Sequence, residues 1–162
     1  MTTAILSALP EEQAGLLQQL QHARRHVHGG RVFWQGLLSD RPVVLALSGM
    51  GKVAAATTAT VLIERFACAR VLFTGVAGGL GQQVRVGDVV VARQYLQHDM
   101  DASPLCPRWE LPGYGRADVA CDPALSVLLL QAAQDFLLVT SQENQPDSAA
   151  AAQAHHGLVV SG

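Results

Sequence analysis

Charge is scarce in this chain. Only 15% of its 162 residues are Asp, Glu, Lys or Arg, 49% are hydrophobic, and the formal net charge is -2. That balance excludes the highly charged, weakly hydrophobic composition of disordered segments and predicts a globular fold with much buried surface. A basic stripe is missing. Arg24-Arg25 is the only adjacent basic pair, so no nucleic-acid partner is expected. Cysteine is sparse: Cys68, Cys106 and Cys121 are odd in number and far apart, which suits neither a disulfide framework nor a zinc site. A reducing compartment, the cytoplasm, is the expected location. No uninterrupted apolar run approaches a membrane span, and residues 1–12 lack the basic start and apolar stretch of a signal peptide. No membrane partner is expected. The length suits a single domain, residues 1–162, with a core of its own.

What is present is a succession of short apolar runs, each followed by a glycine- or proline-marked loop. The organising stretch is residues 70–91, RVLFTGVAGGLGQQVRVGDVVV. Val71-Leu72-Phe73 reads as a buried central strand, and so does Val89-Val90-Val91. Between them lie Gly75, Gly78 and Gly79. Glycines after a strand either supply positive φ in a tight turn or let another group approach the backbone closely; both readings stand here. Ligands of open α/β sheets sit beyond the carboxyl ends of strands, so residues 74–79 are a candidate site.

In chain order, residues 4–9 (AILSAL) read as a first strand. Pro10, Glu11 and Glu12 open a helix: proline needs no N–H there, and acidic side chains suit the positive end of its dipole. The helix fades in the polar stretch 21–28, and Gly29-Gly30 breaks the chain. Residues 32–38 and 42–47 read as an antiparallel hairpin. Residues 52–66 form a small-residue helix, apolar around most of its girth and so packed on two sides. Residues 98–115 are a long loop or arm, and loops of that length are usually functional. Asp122-Pro123 caps a further helix. Residues 147–154 read as a short helix and 157–162 as a buried strand. A doubly wound domain needs a helix to cover such a strand, so the architecture reads as incomplete at the C-terminus.

Two phosphate-binding patterns fail on inspection. Gly49-Met50-Gly51-Lys52 lacks the P-loop's leading glycine and following hydroxyl, since those places hold Ala46 and Val53. Gly75 to Gly79 has the wrong spacing for a dinucleotide fingerprint. An anion at the helix start near Lys52 and a solvated lysine are both open readings. Glu11 and Glu12 either hold and deprotonate a water or pair with the helix dipole. His98, Asp99 and Asp101 read as a self-capping loop better than as a metal site. His155-His156 reads as dipole-paired or solvated near a helix end. Trp34 and Trp109 read as packing residues, with base stacking the alternative.

The segments MTTAILSALPEEQ, LSGMGKVAAATTAT, VLFTGVAGGLGQQVRVGDVVVA, HDMDASP and GLVVSG, in this order, resemble the 5′-methylthioadenosine/S-adenosylhomocysteine nucleosidases of the nucleoside phosphorylase superfamily. The resemblance implies an α/β fold, a three-layer α/β/α sandwich around a mixed central sheet. It implies a homodimeric hydrolase of methionine salvage that splits adenine from the ribosyl thioether and uses neither cofactor nor metal. Glu12 falls where the family activates the attacking water. Ala8, Leu9 and Met50 fall on the wall near water and sugar, and Val76, Ala77 and Gly78 on the loop beside ribose and base. Leu105 and Pro112 lie on the arm reaching the partner's 5′-thioalkyl pocket.

The chain departs from the pattern at Val76, where many members have a serine that helps hold the water. The resemblance also puts the family's ribose-binding glutamate and its adenine-protonating aspartate beyond Gly162. A purine nucleoside phosphorylase and an inactive binding module are the alternatives. The first would want cationic phosphate ligands in the Leu9-Pro10-Glu11-Glu12 loop, which has none.

Overall fold

A computed structural model describes residues 1–143 and 151–162. They form two compact units, Met1–Ala77 and Gly78–Gly162.

The first unit holds β1 (Thr3–Ser7), α1 (Pro10–Gln19), β2 (Gln21–His28), β3 (Arg31–Leu38), β4 (Arg41–Leu47), α2 (Lys52–Glu64) and β5 (Arg70–Phe73). Its five-stranded sheet has the order β2-β3-β4-β1-β5. β1 is parallel to both β4 and β5, while β2, β3 and β4 form an antiparallel meander. The strand period of two sorts β1 and β4 into two cores. Ala4, Leu6, Val44 and Ala46 join Phe33 and Leu62 on one side, where residues of α2 pack. Ile5, Val43 and Leu45 join Leu16, Leu20 and Trp34 on the other, where α1 packs. This unit is therefore an α/β/α sandwich around a mixed sheet, as expected. Coverage on both faces explains why Val43-Val44-Leu45-Ala46 is an unbroken buried run.

Two expectations are corrected here. Residues 21–28 are not a fading helix but the edge strand β2, and Gly29-Gly30, both at positive φ, is its two-residue hairpin turn into β3. An edge strand with few buried side chains has no need of apolar alternation, so the polar run hid it. Among the described residues Val71–Phe73 is not central: β5 pairs there on one side only, with β1, and Phe73 is 54% exposed. The centre of this sheet is β4 and β1.

The second unit holds β6 (Val89–Gln97), β7 (Asp118–Ala120), α3 (Pro123–Glu143) and β8 (Ala154–Ser161). β6 lies between β7 and β8, antiparallel to the first and parallel to the second, so it is central as expected. α3 packs on β6 and β8. It begins at the predicted cap: the Leu125 N–H donates to Asp122 Oδ1 at 2.8 Å. It runs on to Glu143. Within it, Pro123–Ser141 has a mean hydropathy of 1.5 with 6% of that window buried, long and apolar enough to cross a membrane by length and composition. Gln131, Gln134 and Asp135 interrupt the apolar run without lowering its mean hydropathy much. The helix expected at 147–154 lies partly outside the described residues; Ala154 already belongs to β8.

His155 and His156 are thus strand residues, not helix-end residues. The Ser126 hydroxyl donates to the Ala92 carbonyl at 2.6 Å and stands 2.7 Å from His156 Nε2. Its one proton is committed to Ala92, so the imidazole must be the donor to Ser126. That polarity leaves the serine without a base and makes the pair a structural tie between α3 and β8.

His155 reaches Asp88, whose carboxylate also accepts the N–H groups of Arg85 and Gln153 at 2.9 and 2.8 Å. The Arg85 and Gln153 N–H groups, then His155, hold the Asp88 carboxyl down to about 2. A depressed carboxylate stabilises the fold above its unfolded pKa, and that contribution is lost as pH falls through the folded value. The β6–β8 end should therefore loosen between about pH 4 and pH 2. Amide exchange of Arg85 and Gln153 followed down this window checks it. Protection unchanged to pH 2, or an Asp88→Asn variant with the same acid profile, would count against the assignment.

Candidate active site

The parallel strands β4, β1 and β5 end on one edge of the first unit's sheet, so three loops emerge side by side. These are Ala8-Leu9 after β1, Ser48–Gly51 after β4 and Thr74–Ala77 after β5. Backbone hydrogen bonds continue the sheet into them: the Ser48 N–H donates to Ser7 O at 2.8 Å and the Thr74 N–H to Leu6 O at 3.0 Å. The Arg31 guanidinium, entering from β3, donates to Ser48 O at 2.6 Å and steadies the loop after β4.

Glu12 joins the middle loop, after β1, to the loop after β5. α1 starts after Leu9, so Glu12 is the third residue of the helix and its side chain turns back over the helix start. Its Oε2 accepts the N–H groups of Ala8 and Leu9, both at 2.9 Å. Its Oε1 accepts the Val76 N–H at 2.9 Å, sixty-four residues further along the chain. Leu9 has no side-chain acceptor to return the bond, so only half of a capping box exists. The Val76 N–H first, then that of Leu9, hold the Glu12 carboxyl below the ordinary carboxylate range; Ala8 helps and desolvation opposes. Glu12 is an anion at neutral pH. With two N–H donors Oε2 is saturated, and Oε1 keeps one acceptor position for a further donor such as water.

Of the residues singled out from sequence, Glu12, Ala8, Leu9 and Val76 are brought into one hydrogen-bonded group. Ala8 and Leu9 enter it through their backbone N–H groups, not as an apolar wall. Val76 likewise uses its N–H, while its side chain is 88% exposed. Met50 stands on the adjoining loop and is exposed. Glu11 is exposed on the first turn of α1. Ala77 ends the first unit. Gly78, Leu105 and Pro112 belong to the second unit. Leu105 is 91% exposed on the arm, and Pro112 lies in a tight turn closed by the Leu111–Arg116 bridge. The arm is ordered by its own groups: Asp101 Oδ1 accepts the Ser103 N–H, and the Trp109 indole donates to His98 O. The self-capping reading of Asp101 thus describes the structure. Among the described residues no three His, Cys, Asp or Glu side chains are grouped to hold a metal ion.

Clefts in the two units lie elsewhere. One of about 440 Å³ separates α1 from β3 and is lined by Gln13, Leu17, Arg31 and Trp34. One of about 360 Å³ borders Arg85, Asp88 and Gln153. Neither contains Glu12, which projects from a different side of α1 than Gln13 and Leu17.

These features define an α/β protein with a carboxylate lodged where loops from the carboxyl ends of parallel strands converge. Residues 2–162 match the model of the phosphorylase superfamily, and the chain belongs to that superfamily. It is similar to the 5′-methylthioadenosine/S-adenosylhomocysteine nucleosidase of Shewanella denitrificans, 32% identical over 162 residues, which cover 100% of this chain and 65% of that one. Among solved structures it resembles the nucleosidase of that name from Neisseria meningitidis in complex with methylthio-immucillin-A. That match has a TM-score of 0.85, 32% identity, and covers 99% of this chain and 64% of the other. It also resembles the Colwellia psychrerythraea nucleosidase in complex with adenine, with a TM-score of 0.83, 32% identity, and coverage of 100% and 62%. The chain thus spans just under two thirds of the length of these relatives.

Proposed function

We propose that the protein, at the length its relatives have, hydrolyses the N-glycosidic bond of 5′-methylthioadenosine or S-adenosylhomocysteine, releasing adenine and the thioribose. The observation that carries this reading is Glu12, anionic and tied to the loops after β1 and β5, with one acceptor position left on Oε1. A water donating to that position is held, oriented and relieved of a proton as it attacks the anomeric carbon. Three N–H bonds make Glu12 a weak base, so orientation of the water is the larger part of its work. Ala8, Leu9 and Met50 flank the water and sugar. Val76, Ala77 and Gly78 border ribose and base, with Val76 contributing its N–H to Glu12 in place of a hydroxyl to the water. The resemblance assigns protonation of the leaving adenine to an aspartate of the family. The relatives' ligands, adenine and a nucleoside analogue, support this substrate class.

The loop that a phosphorylase would equip with cations reads Leu9-Pro10-Glu11-Glu12, which disfavours phosphate. Incubation with methylthioadenosine, with and without inorganic phosphate, separates the readings. Adenine released at equal rates in both supports hydrolysis. Release that requires phosphate would establish phosphorolysis instead. Nucleoside binding without release would leave a binding module.

The two units are proposed to act as one domain, in the cytoplasm and without a cofactor. A homodimer is proposed through the exposed apolar side of α2, including Val53 and Ile63, and the arm carrying Leu105 and Pro112. The arm would then reach the partner's 5′-thioalkyl pocket. Light scattering over a range of concentrations should show a dimer, and Val53→Glu should shift it towards monomer. A monomer at every concentration would exclude this arrangement.

A further inference from the structure

Gly75 sits between the last residue tied to β1, Thr74, and Val76, which holds Glu12. Its φ is not positive, and neither is that of Gly78 or Gly79, so none of these glycines serves a left-handed turn. Space is what distinguishes Gly75. A methyl group there would stand 2.8 Å from Glu12 Oε1, 3.0 Å from Cδ and 3.1 Å from Oε2. Near-equal distances to all three atoms put that methyl over the face of the carboxylate, not along a lone pair. The carboxylate lies flat against the Gly75 backbone.

We propose that Gly75 is a positioning residue for Glu12, its missing side chain letting the carboxylate lie on the loop after β5 and receive the Val76 N–H. The inference rests on the reading of Glu12 as the group that handles the water. Any Cβ would collide with the end of a flexible side chain, not with backbone. The chain should therefore fold with alanine at this position, and what yields is the carboxylate. It would be lifted away from Val76 and remain tied to Ala8 and Leu9, carrying Oε1 and its water out of place. A shift of this size, about 1 Å, is enough to cost on the order of 10²-fold in rate.

The test is Gly75→Ala, with Gly15→Ala as control. Gly15 lies on α1, one turn from Glu12, with no heavy atom within 4 Å of an added Cβ and no positive φ. Two readouts are taken on the purified protein. Carbon NMR follows the titration of the Glu12 side chain and proton NMR the pH-dependent shift of the Val76 amide; adenine release gives kcat and KM. Gly75→Ala should move the Glu12 titration upward, abolish the Val76 response, and lower kcat far more than it changes KM. Gly15→Ala should change none of these. An unchanged Glu12 titration and Val76 response in Gly75→Ala overturns the inference, whatever the activity. A moved titration with undiminished kcat would support Gly75 as the positioning residue while removing Glu12 from the reaction.

Discussion

Glu12→Gln should lower kcat for adenine release by about 10²–10⁴, towards the lower end because the carboxylate is a weak base, with a much smaller change in KM. The amide cannot take the water's proton. Nor is it neutral toward its surroundings: the carboxylate accepts three N–H groups, two on Oε2 and one on Oε1. A glutamine has one acceptor oxygen, and its NH2 must face donors on the other side. The better choice keeps the oxygen on Ala8 and Leu9, which leaves the Val76 N–H facing a second donor. Loss of the proton acceptor and release of the loop after β5 therefore come together. The pH profile adds a sign: the wild-type acid limb due to Glu12 should lie below the ordinary glutamate range, near 4.3, because the N–H bonds favour the ionised form. Glu11→Gln should stay within about twofold of wild type, being an exposed side chain away from this group. A damaging Glu11→Gln beside a harmless Glu12→Gln would remove Glu12 from the mechanism.

What the sequence makes legible here follows the physics of each signal. Strands covered on both faces announce themselves as apolar runs, and β1 and β4 were readable for that reason; β6 was readable from its run of valines, though it is not buried on both faces. The Asp122-Pro123 cap and the Ser39-Asp40 turn were readable because their residues have local conformational work to do. β2 was not, since an edge strand with His22, Arg24 and Arg25 exposed carries no alternation to detect. β5 was readable as a strand but not as one paired on a single side among the described residues, because pairing depends on residues far away in sequence. In the site, Glu12 was nameable from its place at a helix start. The donors that fix it were not: a backbone N–H is the same in every residue but proline. Gly75 was visible as a glycine, and its function of leaving space over a carboxylate depends on a partner sixty-three positions away.

Phe33→Ala should destabilise the first unit by about 3–5 kcal/mol, the range for emptying a filled aromatic position in a core. Phe33 is fully buried on β3, in the cluster with Ala4, Leu6, Val44, Ala46 and Leu62. Its ring lies 5.1 Å from that of Phe66, which follows α2, and 6.1 Å from that of His28 on β2. Phe66 is also met edge-on by His26 and His28, at 5.4 and 5.7 Å. One side chain thus pins the end of α2 to the sheet and supports the contacts that hold edge strand β2. Its removal opens a cavity between elements whose backbones are tied by hydrogen bonds and cannot collapse into it. Phe73→Ala, on the half-exposed end of β5, should cost much less, about 1 kcal/mol. Phe33→Leu, which keeps most of the volume, should fall between and fold well enough to measure even if the alanine variant does not. Denaturant unfolding of the three variants gives the order. Equal losses for Phe33→Ala and Phe73→Ala would mean that β3 is not the strand on which this core is built.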